Sequence, residues 1–480
     1  LTVTDADFGT VNLDVENGDS MLDTRMFTST VLGANSTVNV TGSDNLTFVT
    51  DVTANEINAA NFTGVLTAVL TANNGDITGG SGDDVFSGIG NAAATVSGGE
   101  GEDEFTIAGA GNDVTINGGA DTDTVKLATS VDFSDGGGTP GVLELNGVEL
   151  LDFNNGNTLT VDGSEIDGSD VIVRSSGGGN DNFTVELGST PSLDLSNLTV
   201  NTGEVDVVVN GTSVSDTVTG SNDGDLVDAK GGNDVVNAGA GQDEVLGKGG
   251  DDTINGGAGD DNQDLNSDGT FGLQGGAGDD TIDGGAGDDI LVGGADSDTL
   301  TGGTGNDTFE FDTTGFSTFN TITDFTAGGT EDELSGVGGD DLTANTVVGG
   351  ADITGTARVV ASVDGGDETI NDAFEIVEDG SGSSNSAASL STNDVATFLA
   401  DVDGAGNGVV FDTTDGGGAT TDDQAYLAVS DGTDTGIFLA DETVGGSADA
   451  TIDADELTQV VELTGIADPT TIAAADLDGF

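Results

Sequence analysis

From Gly211 to Glu310 a large apolar residue returns at every ninth position. The series is Val218, Val227, Val236, Val245, Ile254, Gln263, Ile282, Leu291, Leu300 and Phe309, and only Gln263 breaks it. The surrounding unit is G-G-x-G-x-D-x-U-x, with U the apolar residue; its cleanest copies are GGAGDDTID (Gly275–Asp283) and GGAGDDILV (Gly284–Val292). Six nonads run in frame from Gly211 to Asp264, and four more run from Gly275 to Glu310 after an interruption at Leu265–Gln274. In each, six Gly- and Asp-rich residues read as a turn, and the last three as a short strand with its central side chain pointing inward. Units this short can bury that side chain only by stacking on copies of themselves. The prediction is an all-β chain built as a right-handed parallel β-helix or β-roll solenoid, with two nonads per coil and an apolar ladder inside.

A looser group precedes this array: GGSGDDVFS (Gly79–Ser87), GGEGEDEFT (Gly98–Thr106) and GGADTDTVK (Gly118–Lys126). AGAGNDVTI (Ala108–Ile116) is placed to supply a turn on the opposite side. Residues 1–78 and 127–210 alternate apolar with polar in short runs such as STVNVTG, NLTFVT, GNTLTVDG, NFTVELG and EVDVVVNG. Period-2 patterning rich in Thr and Val, bounded by Asn, Asp and Gly, predicts strands. These runs lead directly into the nonads and read as rungs of the same solenoid, with separate sandwich domains as the competing reading. The chain is thus divided into rungs (1–78), looser nonad turns (79–126), rungs (127–210), the roll (211–310) and a C-terminal region that caps it (311–480).

In that last region the Phe-rich Phe316–Leu334 is expected to cap the open end of the roll. A Gly/Ser-rich link (Asp379–Ser389), a hairpin within Ala425–Asp441 and a short amphipathic helix around Asp453–Leu463 are expected after it.

Composition sharpens the picture. There are 89 acidic and 6 basic residues, a formal charge of −83, 82 Gly, 3 Pro, and no His, Cys or Trp. Asp outnumbers Glu 69 to 20, the balance of a protein made of turns rather than helices. Such self-repulsion must be offset by cations or salt, and it excludes nucleic acid, whose phosphates need Lys and Arg. Without His or Cys there is neither a Ser-His or Cys-His nucleophile nor a His-held zinc. Carboxylate pairs are inevitable among so many acids, so they do not argue for a glycosidase; the chain reads as not an enzyme. No run approaches the roughly 20 apolar residues of a membrane helix. A chain opening on Leu1 is expected to continue upstream.

Calcium takes six to eight oxygens and mixes carboxylates with carbonyls. Gly-rich turns expose carbonyls, and the sixth-position Asp adds charge. The candidate metal carboxylates are Asp84, Asp103 and Asp123 in the early group, then Asp225, Asp234, Asp243, Asp252, Asp261, Asp280, Asp289, Asp298 and Asp307. The candidate carbonyl donors are Gly232, Gly241, Gly250, Gly259, Gly276, Gly278, Gly285, Gly287, Gly294, Gly303 and Gly305. With two nonads per coil, Asp234 stacks on Asp252, Asp243 on Asp261, Asp280 on Asp298 and Asp289 on Asp307. Stacked carboxylates repel without an ion, which makes folding conditional on calcium. In the first two copies, GTSVSDTVT and GSNDGDLVD, Asp216 and Asp225 carry a second reading as simple solvated turns. Two weaker strings, DLNSDG (Asp264–Gly269) and GGSADATIDADE (Gly445–Glu456), read as a loop and a helix start rather than EF-type sites.

The nonads resemble those of the RTX family. That resemblance implies a calcium-filled roll, export by the type I secretion machinery and an uncleaved C-terminal signal, for which Thr451–Phe480 is suitably placed. The rungs, with phrases such as NGVELLDFNNGNTLTV, are similar to the lattice-forming part of RTX-type bacterial S-layer proteins. The implied function is a secreted structural protein at the cell surface, an S-layer subunit assembling with itself through calcium. Cell-surface polysaccharide would be a further partner, through a region upstream of Leu1. The alternatives are an RTX adhesin, or the C-terminal part of a secreted enzyme whose catalytic domain lies outside this chain.

Overall fold

The computed structural model describes residues 2–3, 10–15, 25–29, 36–48, 56–70, 76–90, 94–110, 112–134, 141–154, 156–166, 168, 170–177, 180–188, 191–201, 205–263, 265, 271–312, 320–326, 332–337, 358–363, 372–376, 424–430, 435–441, 457–466 and 477–478. They form an all-β parallel solenoid architecture in two units, Leu1–Ala229 and Lys230–Phe480. No helix among them is long and apolar enough to cross a membrane.

In the first unit, strands up to Thr124–Leu127 alternate between two parallel sheets. Glu56–Phe62, Asp76–Thr78, Ala94–Glu100 and Val114–Ala120 lie in one, while Leu66–Val69, Val85–Ile89, Glu104–Ile107 and Thr124–Leu127 lie in the other. At Val131–Asp132 a third sheet begins, continuing through Thr158–Asp162, Asp181–Glu186 and Val205–Asn210. Each coil now has three sides and takes more residues, with register steps of 24 along this sheet against 19 and 20 in the early group. The four-residue helix Gly163–Ile166 holds one corner, where Glu165 accepts the Leu143 N–H at 2.7 Å. Alternation explains the packing: in Val205–Asn210 every second residue is buried, and Phe86 stacks on Phe105 with ring centroids 5.6 Å apart.

In the second unit the nonads form two parallel sheets. One runs through Val235–Ala240, Thr253–Ala258, Thr281–Ala286, Thr299–Thr304 and Asn320–Ile322; the other runs through Glu244–Gly249, Leu273–Ala277, Ile290–Ala295, Thr308–Asp312 and Glu333–Val337. All nine apolar ladder residues of the array, divided between the two units, are buried. Each such side chain contributes about 1.5–3 kcal/mol by leaving water, which is what a nine-residue repeat has available in place of a broad core.

Three expectations are corrected. The interruption is shifted three residues toward the N-terminus from Leu265–Gln274: Leu273 pairs with both Val245 and Leu291 and is fully buried, so it is the missing rung, and Gln263 is not. A polar amide has no partner inside an aliphatic ladder, so Gln263 stays exposed and Leu273 takes the inward place. Phe316–Leu334 does not close the roll, because Asn320–Ile322 and Glu333–Val337 are further rungs, themselves paired with Leu457–Leu463 and Leu477–Asp478. Lastly, Leu457–Leu463 is a strand, not a helix. It lies between Asn320–Ile322 and Thr435–Asp441, and a sheet edge whose N–H and C=O groups need partners outweighs a marginal helical period.

The expected hairpin is present as the antiparallel pair Gln424–Ser430 and Thr435–Asp441. Asp379–Ser389, Gly445–Glu456 and, apart from Leu265, Asp264–Gly269 lie outside the described residues.

Candidate metal centre

The sixth-position aspartates form columns. In the second unit the backbone N–H of one Asp donates to Oδ1 of the Asp one coil further on: Asp234 to Asp252 and Asp243 to Asp261 at 2.8 Å, Asp280 to Asp298 at 3.0 Å, Asp289 to Asp307 at 3.1 Å. These are the pairs that a period of 18 predicts. The columns also cross the interruption, where the step lengthens to 28: Asp252 donates to Asp280 at 2.7 Å and Asp261 to Asp289 at 2.9 Å. A third column in the first unit joins Asp84 to Asp103 at 2.7 Å and Asp103 to Asp123 at 2.9 Å.

Each column ends on a residue outside the nonads. Asp298 donates to Asn320 Oδ1, Asp307 to Asp332 Oδ1 and Asp123 to Glu149 Oε2. Sequence reading passed over these three, yet Asn-Thr-Ile, Asp-Glu-Leu and Glu-Leu-Leu each preserve the acceptor-x-apolar core of the nonad.

One carboxylate oxygen is therefore used by the backbone. The other, Oδ2, is buried without a hydrogen-bond partner in Asp103, Asp123, Asp252, Asp261, Asp280, Asp289 and Asp298. It lies over the first-position glycine of its own nonad. A Cβ built on Gly275 would meet both Asp280 Oδ2 and the carbonyl oxygen of Gly293 in the next coil, and Gly247, Gly256 and Gly284 repeat the arrangement. These first-position glycines were absent from the candidates. Their role is the space left by a missing side chain, which turn chemistry does not reveal.

The eleven candidate carbonyl donors all have positive φ, from +103° to +155°. At Gly278 (φ +134°) a Cβ would strike the Gly250 carbonyl of the coil before it, so the turn needs glycine twice over, for conformation and for close approach. Four non-glycine residues keep the left-handed turn: Asp121 and Asp296 at the fourth position, Lys230 and Lys248 at the second.

Burial pushes these carboxyls well above the usual range. Asp261 rises to about 8, helped by the neighbouring charges of Asp243 and Asp289 and opposed by the Asp243 N–H. Asp103, Asp280, Asp298 and Asp307 rise to about 7 and Asp123, Asp252 and Asp289 to about 6, in each case chiefly by burial. A column of buried, like-charged groups with oxygens left over is the chemistry of a cation site. Among the described residues no group of three or more acidic side chains gathers to hold a metal, so one or two carboxylates must act with backbone carbonyls. That mixed oxygen set fits calcium.

Asp84 and Asp225 differ from the rest. Asp84 accepts the Leu66 and Gly80 N–H groups, one on each oxygen, at 2.7 and 2.8 Å. Asp225, which burial raises to about 7, accepts the Ser221 N–H at 2.6 Å and the Ser221 hydroxyl at 3.1 Å.

The family model described as the RTX calcium-binding nonapeptide repeat (4 copies) matches residues 210–245, 238–262 and 273–309. No curated protein matches the chain. The matched segments coincide with the nonads of the roll, and these repeats bind multiple calcium ions.

Proposed function

We propose that this RTX-repeat protein is a secreted structural protein of the cell surface, a surface-layer subunit that folds and assembles on extracellular calcium. The observation that carries the reading is the column of buried Asp Oδ2 atoms without hydrogen-bond partners, each held close over a glycine and near a carbonyl oxygen of the next coil. Bound calcium supplies the positive charge that offsets these carboxylates. The chain supplies the rest: Oδ1 of each Asp ties one coil to the one before it, and Oδ2 with the turn carbonyls would hold the ion. In calcium-poor cytosol, repulsion among the columns keeps the roll open and suited to passage through the type I secretion machinery. Outside, millimolar calcium favours the folded state by mass action, in the range of extracellular sites.

A lattice role is supported by the repetition itself and by a second row of acids. The fifth-position Asp251, Asp260, Asp279 and Asp288 each accept an N–H one coil on and remain exposed, ready to share calcium with another copy. Electron microscopy of the purified chain in millimolar calcium tests the reading. A two-dimensional lattice that disperses in chelator is expected. Isolated fibrils would favour an adhesin, and dispersed single particles at high protein concentration would reject self-assembly.

A further inference from the structure

The first two nonads of the array, Gly211–Thr219 and Gly220–Asp228, differ from the others at the second position. The clean copies carry Gly or Lys there; these two carry Thr212 and Ser221. Both side chains do the same thing. The Thr212 N–H donates to Asp216 Oδ2 at 2.6 Å and its hydroxyl reaches both carboxylate oxygens, at 2.9 and 3.1 Å. The Ser221 N–H donates to Asp225 Oδ2 at 2.6 Å and its hydroxyl to Oδ1 at 3.1 Å. Each hydroxyl also accepts the fourth-position N–H, from Val214 at 3.2 Å and from Asp223 at 3.3 Å.

A hydroxyl has one proton and two lone pairs. It can thus give its proton to the carboxylate while accepting the turn N–H, and so bridges the groups a cation would otherwise draw together. Thr212, Val214, Ser221 and Asp223 are not among the residues of positive φ, so these turns do not aim their carbonyls as the glycine turns do. Earlier in the same unit, Asp181 accepts the Ser175 hydroxyl and the Asn157 N–H, both at 2.7 Å. Asp181, Asp216 and Asp225 are therefore closed by protein donors, whereas Asp252, Asp261, Asp280, Asp289 and Asp298 each keep a buried oxygen with no such donor.

We propose that Thr212 and Ser221 replace calcium in their turns: their hydroxyl and N–H groups close Asp216 and Asp225, so that the coils ending at Ala229 hold without the ion that the later nonads need. The inference is independent of any lattice role, since it concerns which turns take calcium and not what the folded protein assembles into.

Hydrogen exchange on the full chain, in millimolar calcium and in excess EDTA, tests it. Peptides within Val205–Ala229 should keep their protection in EDTA, while peptides within Gly250–Phe309 should exchange about tenfold faster or more. Equal loss in both regions overturns the proposal. Equilibrium dialysis with calcium gives a second reading: Asp225→Asn should leave the number of ions per chain unchanged and Asp280→Asn should lower it. Loss of an ion in Asp225→Asn would show that the turn is a metal site after all. In the double variant Thr212→Val/Ser221→Ala, protection of Val205–Ala229 should fall in EDTA, and retained protection there would exclude the hydroxyls as the closing groups. Should that variant fail to fold, the wild-type exchange pattern and the Asp225→Asn stoichiometry still decide.

Discussion

At the first position of a nonad, a methyl group would stand where an aspartate oxygen needs to be. Over Gly284 that space borders Asp289 Oδ2 and the Gly302 carbonyl, the latter 2.6 Å from an added Cβ. Ala229 and Ala238 occupy the first position in two other copies, so Gly284→Ala should leave the coil standing and act on the ion. A calcium affinity weakened about tenfold at that turn, roughly 1.4 kcal/mol, is expected in calcium titrations followed by circular dichroism. Unchanged affinity would mean the space is not used. The second position gives the opposite case. Lys248 holds φ +74° where most copies have glycine, a conformation that costs an L-residue about 1–2 kcal/mol, while glycine's own entropy returns part of the gain. Lys248→Gly should therefore raise stability in saturating calcium by about 0.5–1 kcal/mol, read as a higher denaturant midpoint with unchanged slope. The aspartates, the fourth-position glycines and the later second-position glycines were legible in the sequence because each has a positive chemical reason to be there, although Gly239 and Gly257, at φ +121° and +107°, were passed over. The first-position glycines were not legible, because their contribution is the close approach of an aspartate oxygen and a carbonyl from the next coil.

Among the elements, the ladder and its two-sheet register followed from spacing alone, since a nine-residue unit with one inward side chain has few ways to stack. Spacing failed at the interruption. Counting nine from Ile254 lands on Gln263, and only the pairing of Leu273 with Val245 and Leu291 shows where the strand resumes. The inserted segment leaves a mark on the outer face. Glu244, at a seventh position that is exposed or half-buried in neighbouring nonads, is fully buried and accepts the Leu265 N–H at 2.7 Å. A substitution pair separates the two candidate rungs. Leu273→Ala should cost about 2–5 kcal/mol through the cavity it leaves, whereas Gln263→Ala should stay within about 0.5 kcal/mol. The reverse order in thermal or denaturant unfolding would put Gln263 back in the ladder. The strand Leu457–Leu463 was illegible for a different reason. Its partners Asn320–Ile322 and Thr435–Asp441 are remote or formed in another context, and no local pattern announces a sheet edge waiting more than a hundred residues away.

For the whole molecule the governing quantity is charge. Offsetting −83 with calcium alone would take about 40 ions, far more than the columns can hold, so most acids remain solvated and, on the proposed reading, only the buried ones tie folding to calcium. Those buried groups also tie it to pH. In the metal-free fold Asp103, Asp261, Asp280, Asp298 and Asp307 titrate at about 7–8, against about 3.9 for an unfolded Asp. Because the folded values are raised, protonation stabilises the metal-free fold: the contribution is complete below about pH 4 and is lost as pH rises through 7–8. Calcium requires the carboxylates ionised, so binding near neutral pH must expel protons, and apparent affinity should rise from pH 6 to 8 and then level off. A weakly buffered calcium titration at pH 7 should show measurable acid release, reduced in Asp280→Asn and absent at pH 9. Affinity that is flat from pH 6 to 8, with no proton release, would mean the columns are ionised before calcium arrives and that burial does not set the switch. The same linkage gives the metal-free chain two opposing tendencies. Acid alone would favour closing the columns around protons, while calcium at pH 8 closes them around the ion, so only the second state should lose its protection when chelator is added at constant pH.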